Sequence, residues 1–532
     1  MKLNIKTNFR SKAAFVLLSV SSFSFTLNSC NEGNVLDLEP YNSISENAAF
    51  STADLVKLSV TGLYNAAEIG VYTGAGRGYP FGAAFVQQGD NRGEDVVNVA
   101  TFYQLTYTAT YDPTTANNVY YWSDTYRLIN RANIVIEGVQ AALDNGIITS
   151  EVATDYIAQA KFFRAAAHLE LLFHFARPYN DTPDASHLGV PYRDFAIQTA
   201  ESLDLAQAQG RNTVAECYQR IIQDFDDAED DLLSKADRAS EEGSIRGGIV
   251  RATKEAAIAF KTRAYLHMRN WQMVITEGMK LNTVYTLPAD PNTTFSSGYD
   301  NTESVFSMEH SENNNPGVNA ALASQYNRRG LVVVSPIIWR NPAWLTDDER
   351  RTEGGLISTT SGVIYTNKYK DATNYTDPAP VIRYAEVLLN MAEAYTRLSP
   401  ANTSAALSSL NAVRNRSLAN PETQAYVAAD FTTPASLVNA IITERRIEFV
   451  MEGRRWPDIH RLQNDNLAPV SGIPAKVANG TPAEALYTLG TAYDGPLGVD
   501  AVPYNDFRFL WPIPQQETNN NPTLAAQQNP GW

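Results

Sequence analysis

The sequence predicts a mostly α fold: a scaffold of helix pairs carrying long irregular loop insertions and few short strands. Three observations predict it. Tyr384, Leu388, Met391, Tyr395 and Leu398 recur at steps of three and four within 383–398, drawing one apolar stripe along a helix. Runs of this kind recur in pairs. Between the pairs lie stretches far longer than ordinary connections, roughly 70–121, 178–211, 283–380 and 463–532, rich in Gly, Asn, Pro and Tyr.

The elements follow in chain order. Lys2, Lys6, Arg10 and Lys12, with no acid among them, precede an apolar stretch over 13–27. That is the basic and apolar pattern of a secretory signal, too short to span a bilayer. It ends in Leu27-Asn28-Ser29-Cys30, similar to a bacterial lipobox, in which the peptide is cut before the cysteine and the thiol is diacylated. Two acyl chains anchor stably where one holds only marginally. Residues 1–29 are thus read as a lipoprotein signal peptide and 30–45 as a polar tether. The rest divides into 46–240 and 241–532, expected to form one compact body.

Helices are expected over 151–176 and 212–234, as one pair, and as a second pair within 252–281, where Ile258 and Tyr265 precede Trp271, Val274 and Met279. After 383–398, a Pro400-Ala401-Asn402 break leads to Ala406, Leu410 and Val413 on one face. Two short helices with Ala and Tyr at the crossings resemble a tetratricopeptide-type hairpin. A helix over 435–452 closes the set. The spacing is not a regular period of about 34 residues, so a simple solenoid is excluded.

Composition removes several functions. The chain has 532 residues, 42 basic against 58 acidic, for a net charge of −16. Loss of the signal leaves 38 against 58, or −20. A protein tracking phosphate backbones needs a basic face, so nucleic acid is not an expected partner. Two cysteines cannot support a disulfide framework. With Cys30 lipidated, Cys217 is left alone and is read as a small core residue of a helix.

Few residues are arranged for chemistry. His168 and His174 stand six apart, on different helix faces, unlike a helical zinc pair. The glycine-rich 74–78 lacks the Lys-Ser/Thr of a phosphate loop, and no Gly-x-Ser-x-Gly occurs. Asp181, Asp184 and Asp194 share an irregular loop without EF-hand spacing. Glu444 and Glu448 lie one turn apart beside the apolar stripe of the last helix, with arginines around them. They are read as members of a structural ion-pair network at a helix end, because a buried carboxylate needs such partners. No catalytic, cofactor or metal residue is assigned.

Taken in order, the motifs resemble the SusD/RagB family of outer-membrane nutrient-binding lipoproteins. They are the lipobox at Cys30, Trp122 with the run Tyr126–Asn133, Lys161-Phe162-Phe163-Arg164-Ala165 with Arg177-Pro178-Tyr179, and Lys368-Tyr369. The blocks RYAEVLLNMAEAY, LNAVRNR and ITERRIEFVMEGRRWPDIHRL follow, then Trp511-Pro512-Ile513-Pro514 and the closing Asn529-Pro530-Gly531-Trp532. The resemblance implies tetratricopeptide-like helix pairs packed against an irregular ligand-binding half, without catalysis. It implies a lipid-anchored protein facing the cell exterior, which captures an oligosaccharide and delivers it to a SusC-like TonB-dependent β-barrel transporter. In some members the cargo is a peptide. A helical-repeat envelope scaffold would call for regular repeats and short loops, and a surface glycosidase for a working carboxylate pair.

A surface that holds a sugar without cutting it needs aromatic platforms beside Asn, Asp or Arg groups. The resemblance places such residues in an early insertion, 72–111, and in a second, 295–344. The ligand-contacting candidates are Arg77, Tyr79, Phe81, Asn91, Arg92 and Tyr103 in the first, with Tyr299, Tyr326 and Trp339 in the second. Asp90, Phe102, Arg328 and Trp344 stand in the same insertions. Starch-binding members carry a tryptophan in the early loop, and none stands between residues 42 and 121. Either a Tyr or Phe replaces it, or the ligand is not starch.

Overall fold

The computed structural model describes residues 48–70, 76–296 and 300–532. Cys30, the signal, the tether to residue 47 and Tyr299 lie outside the described residues. The elements that matter below begin with α1 (Ala53–Ile69), α2 (Ala84–Asn91), β1 (Val96–Asn98), α3 (Ala116–Asp144) and α4 (Ser150–Phe175). They continue with α5 (Val214–Asp231), α6 (Lys254–His267), α7 (Trp271–Met279), β2 (Ser304–Met308) and β3 (Val332–Val334). A hairpin of β4 (Ile357–Thr360) and β5 (Val363–Thr366) precedes β6 (Ala379–Arg383), α8 (Tyr384–Arg397), α9 (Thr403–Asn415), α10 (Pro434–Glu448) and α11 (Arg455–Arg461).

Local chemistry sets the helix starts. Thr149, Thr213 and Thr253 each cap a helix through a hydroxyl that accepts from a backbone N–H near the helix start. Thr213 and Glu216 complete a capping box for α5, and Pro434 occupies the first turn of α10 behind a Thr433–Ser436 box. The expected helices are present, with ends trimmed by a few residues. The pair α4–α5 packs as expected, but α4 packs still more extensively on α3, the longest helix of the chain at 29 residues. Periodicity missed α3 because its buried positions mix Asn, Asp and Thr with apolar residues.

Helix pairs then stack in sequence: α6 with α7, α7 with α8, α8 with α9, and α10 against α8. The main buried cluster runs from Val56 to Leu524 in the chain and holds Trp122, Trp456 and Trp511. The strands form three separate antiparallel pairs, β1–β3, β2–β6 and β4–β5. Ser361 and Gly362 both take positive φ, 50° and 73°, giving the β4–β5 turn the twist that a two-residue hairpin requires.

Glu444 and Glu448 are buried in an ion-pair network, with one correction of detail. Their arginines come from distant segments. Glu444 pairs with Arg350 and Arg414, and Glu448 with Arg350, Arg383 and Arg416. The neighbouring arginines turn elsewhere: Arg445 to Asp458, Arg446 to Asp95, and Arg455 to Glu94. Cys217 is fully buried in α5, its thiol 3.4 Å from the Val190 carbonyl, and burial pushes that thiol up to about 12.

Candidate functional site

The two insertions meet. β1 from the first pairs with β3 from the second, Val96 opposite Val334 and Asn98 opposite Val332. Tyr326 Oη donates to Asp90 Oδ2 at 2.8 Å, and the Gln87 amide donates to the Ala320 carbonyl. Burial pushes the Asp90 carboxyl up to about 7, against the hydrogen bonds from Tyr326 and the Gly453 N–H.

Seven of the nine ligand candidates sit beneath this junction rather than on it. Tyr79, Phe81, Asn91, Arg92, Tyr103, Tyr326 and Trp339 are all buried. Tyr79 Oη donates to Asn117 Oδ1 at 3.2 Å, Tyr103 Oη donates to Gln87, and Asn91 Nδ2 donates to the Gln87 carbonyl. Phe81 packs near Phe85 with ring centroids 6.1 Å apart. Arg92 lies 3.4 Å from the Trp456 ring centroid and donates to the Phe509 carbonyl. Trp339 Nε1 donates to the Tyr487 carbonyl at 3.1 Å. In this conformation these side chains buttress the surface. Sequence could not separate strut from surface here, since both roles use aromatic and amide side chains.

Two candidate platform groups of the first insertion are less deeply placed. Arg77 and Phe102 are half-buried, with the guanidinium 5.5 Å from the ring centroid. Tyr103 meets Phe102 edge-on at 4.7 Å, and Asn117 Nδ2 donates to the Phe102 carbonyl at 2.8 Å, so the ring is held from below. A backbone bond from Arg77 N to Ile69 O at 2.9 Å ties this platform to the end of α1.

On α1 itself, Thr61, Tyr64, Asn65 and Glu68 fall at positions i, i+3, i+4 and i+7, hence on one face. They line a cleft of about 360 Å³ closed by Arg246, His310 and Asn314, among others. Asn65 Nδ2 donates to Asn314 Oδ1 at 3.1 Å, and Asn314 Nδ2 to Glu68 Oε2 at 2.6 Å. Glu68 Oε1 and His310 Nε2 are buried polar atoms without partners among the described residues. His310 Nδ1 is 2.8 Å from the Asp377 carbonyl, so Nδ1 carries the proton and Nε2 is the bare nitrogen. Burial, with the Glu309 charge, pushes the Glu68 carboxyl up to about 8. Sequence reading overlooked this cleft. Its signal was the i, i+3, i+4, i+7 set of Thr61, Tyr64, Asn65 and Glu68.

Residues 333–532 match the SusD family model, and residues 35–266 match a second model described as starch-binding, associating with the outer membrane. The chain belongs to the SusD family. A SusD-like protein P2 from Formosa agariphila is 27% identical over 465 residues, covering 77% of this chain and 80% of that one. The crystal structure of a SusD superfamily protein from Bacteroides fragilis superposes with a TM-score of 0.72 at 27% identity, covering 89% of this chain and 99% of that one. A SusD-like carbohydrate binding protein from Bacteroides vulgatus shares the fold, with TM-score 0.68 at 19% identity over 89% of this chain and 98% of that one.

The two matched spans of this SusD-family chain leave out 267–332, the stretch that supplies His310 and Asn314 to the cleft and Tyr326 to the junction. The aspartates of the 178–211 stretch are occupied separately: Asp181 accepts from Tyr504, Asp184 from the Ser186 N–H, and Asp194 pairs with Arg220 at 2.6 Å. Among the described residues no helix is long and apolar enough to cross a membrane.

Proposed function

We propose that this protein is a lipid-anchored, non-catalytic glycan-binding protein of the outer membrane, facing the cell exterior, that delivers oligosaccharides to a SusC-like TonB-dependent transporter. The observation that carries the binding reading is the platform beside the cleft. A half-buried ring held by its neighbours suits the apolar face of a sugar, while Asn65, Asn314, Glu68 and His310 offer donors and acceptors to its hydroxyls. Family membership and a relative described as carbohydrate binding support the same cargo. The carboxylates under the platform favour binding over cleavage, because each is already engaged. Asp90 accepts from Tyr326 and Gly453, Glu94 pairs with Arg455, and Asp95 with Arg446. Cys30 would carry the anchor, and residues 30–45 would act as a tether to a body spanning 46–532.

Affinity electrophoresis of residues 31–532 across gels of starch, levan, pectins, xylan and mannans tests this, with casein digests as the peptide arm. The expected result is retardation by a polysaccharide without shortening of its chains. Phe102→Ala should weaken that binding about tenfold, the order of a lost aromatic contact of ~1.5 kcal/mol. Chain shortening would revive a hydrolase, and retention by peptides alone would move the cargo to peptides.

A further inference from the structure

On the second insertion lies a cleft of about 450 Å³ that the platform does not use, lined by Arg340, Trp344, Asp347, Arg351, Gln424 and Thr491 among others. Arg351 is 8% exposed, and its guanidinium stands 4.2 Å from the Trp339 ring centroid and 4.4 Å from that of Trp344. The two indoles meet edge-on, 5.4 Å apart. One nitrogen of the guanidinium is spent on the backbone, Nη2 donating to the Trp339 carbonyl at 2.6 Å and the Trp344 carbonyl at 2.8 Å. Among the described residues Nε and Nη1 have no partner, and neither has the buried Trp344 Nε1. Three donors of two residues lining one cleft are therefore unspent.

The charges sharpen the point. Among the described residues Arg351 forms no ion pair, whereas its neighbour Arg350 holds Asp348 (2.7 Å), Glu444 (2.6 Å) and Glu448 (2.9 Å). A buried cation without an anion is costly. Burial pulls the Arg351 guanidinium down to about 10, with Asp348 acting in the opposite sense, so it stays charged at neutral pH. Arg340, also on the cleft, is answered by Asp494 at 3.1 Å and by carbonyls of Thr491 and Ala492. Asp347 faces the cleft too, accepting from Gln424 Nε2 at 2.8 Å. Its carboxylate disfavours a diffuse anion and leaves the Arg351–Trp344 end as the place for a compact one.

We propose that this cleft is a second ligand site, which takes a compact oxyanion, the carboxylate of a uronic acid or a sulfate ester, on the glycan that the protein captures. The oxyanion would accept from Arg351 and Trp344, while the Trp339 ring, its centroid 4.2 Å from the guanidinium, helps to position it. The oxyanion site stands on its own cleft. Only its assignment to a glycan rests on the uptake reading.

The test is titration calorimetry on residues 31–532 with three probes: a trigalacturonate, a sulfated galactan oligosaccharide and inorganic sulfate, with a neutral trisaccharide as blank. The expected result is binding of at least one acidic oligosaccharide, weakened at least tenfold in Arg351→Met and measurably in Trp344→Phe, which keeps a six-membered aromatic ring and removes the indole N–H. Binding of trigalacturonate alone assigns a carboxylate, and binding of the sulfated probes alone assigns a sulfate. The effect of Arg351→Met on the acidic probes should persist in a Phe102→Ala background, so loss of the platform and loss of this site are read separately. Equal binding of acidic and neutral probes, or acidic binding indifferent to both Arg351→Met and Trp344→Phe, would overturn the proposal. Should Arg351→Met fail to fold, Trp344→Phe decides alone.

Discussion

Replacing Glu448 with Gln gives a direct measure of what the buried ion network holds in place. Glu448 is 4% exposed and accepts from Arg350 Nη1 at 2.9 Å, from Arg383 Nη1 and Nη2 at 3.1 Å each, and from Arg416 Nη2 at 2.7 Å. The network around it balances: Arg350, Arg383, Arg414, Arg416 and Lys368 against Asp348, Glu303, Glu444, Glu448 and Glu452. The substitution keeps the shape and removes one negative charge, leaving one buried positive charge in excess. Breaking such a set by removing one partner costs roughly 3–5 kcal/mol, about two to four decades in the folding equilibrium. The assay is equilibrium urea unfolding of residues 31–532. The control is Asp194→Asn, whose pair with Arg220 is 46% exposed on both sides and should lose about 1 kcal/mol or less. Adding Arg416→Met to Glu448→Gln restores the balance of charge and should recover part of the loss. A Glu448→Gln variant within about 1 kcal/mol of the parent would refute the charge argument, and so would a double variant no more stable than the single one.

Acid should loosen α8 from α6 and α11. Burial alone would raise Glu386 and Glu393, but Arg263 holds the first, and Arg461 and Arg397 the second, down to about 2. Their folded values lie below the unfolded ones. The stability they contribute is therefore present above about pH 4.5 and lost as pH falls towards 2, which urea midpoints across that range will show. Cys217 should resist thiol reagents in the folded chain from residue 31 and react fully in denaturant. Fast labelling without denaturant would contradict its burial. Gly89→Ala should destabilise by roughly 1–3 kcal/mol, because an added Cβ would sit 2.2 Å from the Gly453 carbonyl oxygen, where α2 crosses the turn before α11. An unchanged melting temperature would show that the two segments can part at no cost.

Much of the scaffold was legible because it is local. Three-and-four spacing and the break at Pro400-Ala401-Asn402 mark α8 and α9 directly, and Thr149, Thr213 and Thr253 cap α4, α5 and α6. What lies across the chain was not legible. Glu386, Asn390 and Glu393 read as the polar side of α8, yet all three are buried against Arg263, Arg445 and Arg461. The family motifs located the two insertions, and β1–β3 pairing joins them. Within those insertions, burial alone separates Tyr103, a strut, from Phe102, a ring at the surface, one residue apart on the chain. Composition and spacing are properties of neighbours along the chain, so the sequence by itself determined helices, caps and family. Which carboxylate meets which arginine, and which aromatic ring meets solvent, depends on segments hundreds of residues apart arriving at one place, and only the tertiary structure decided that.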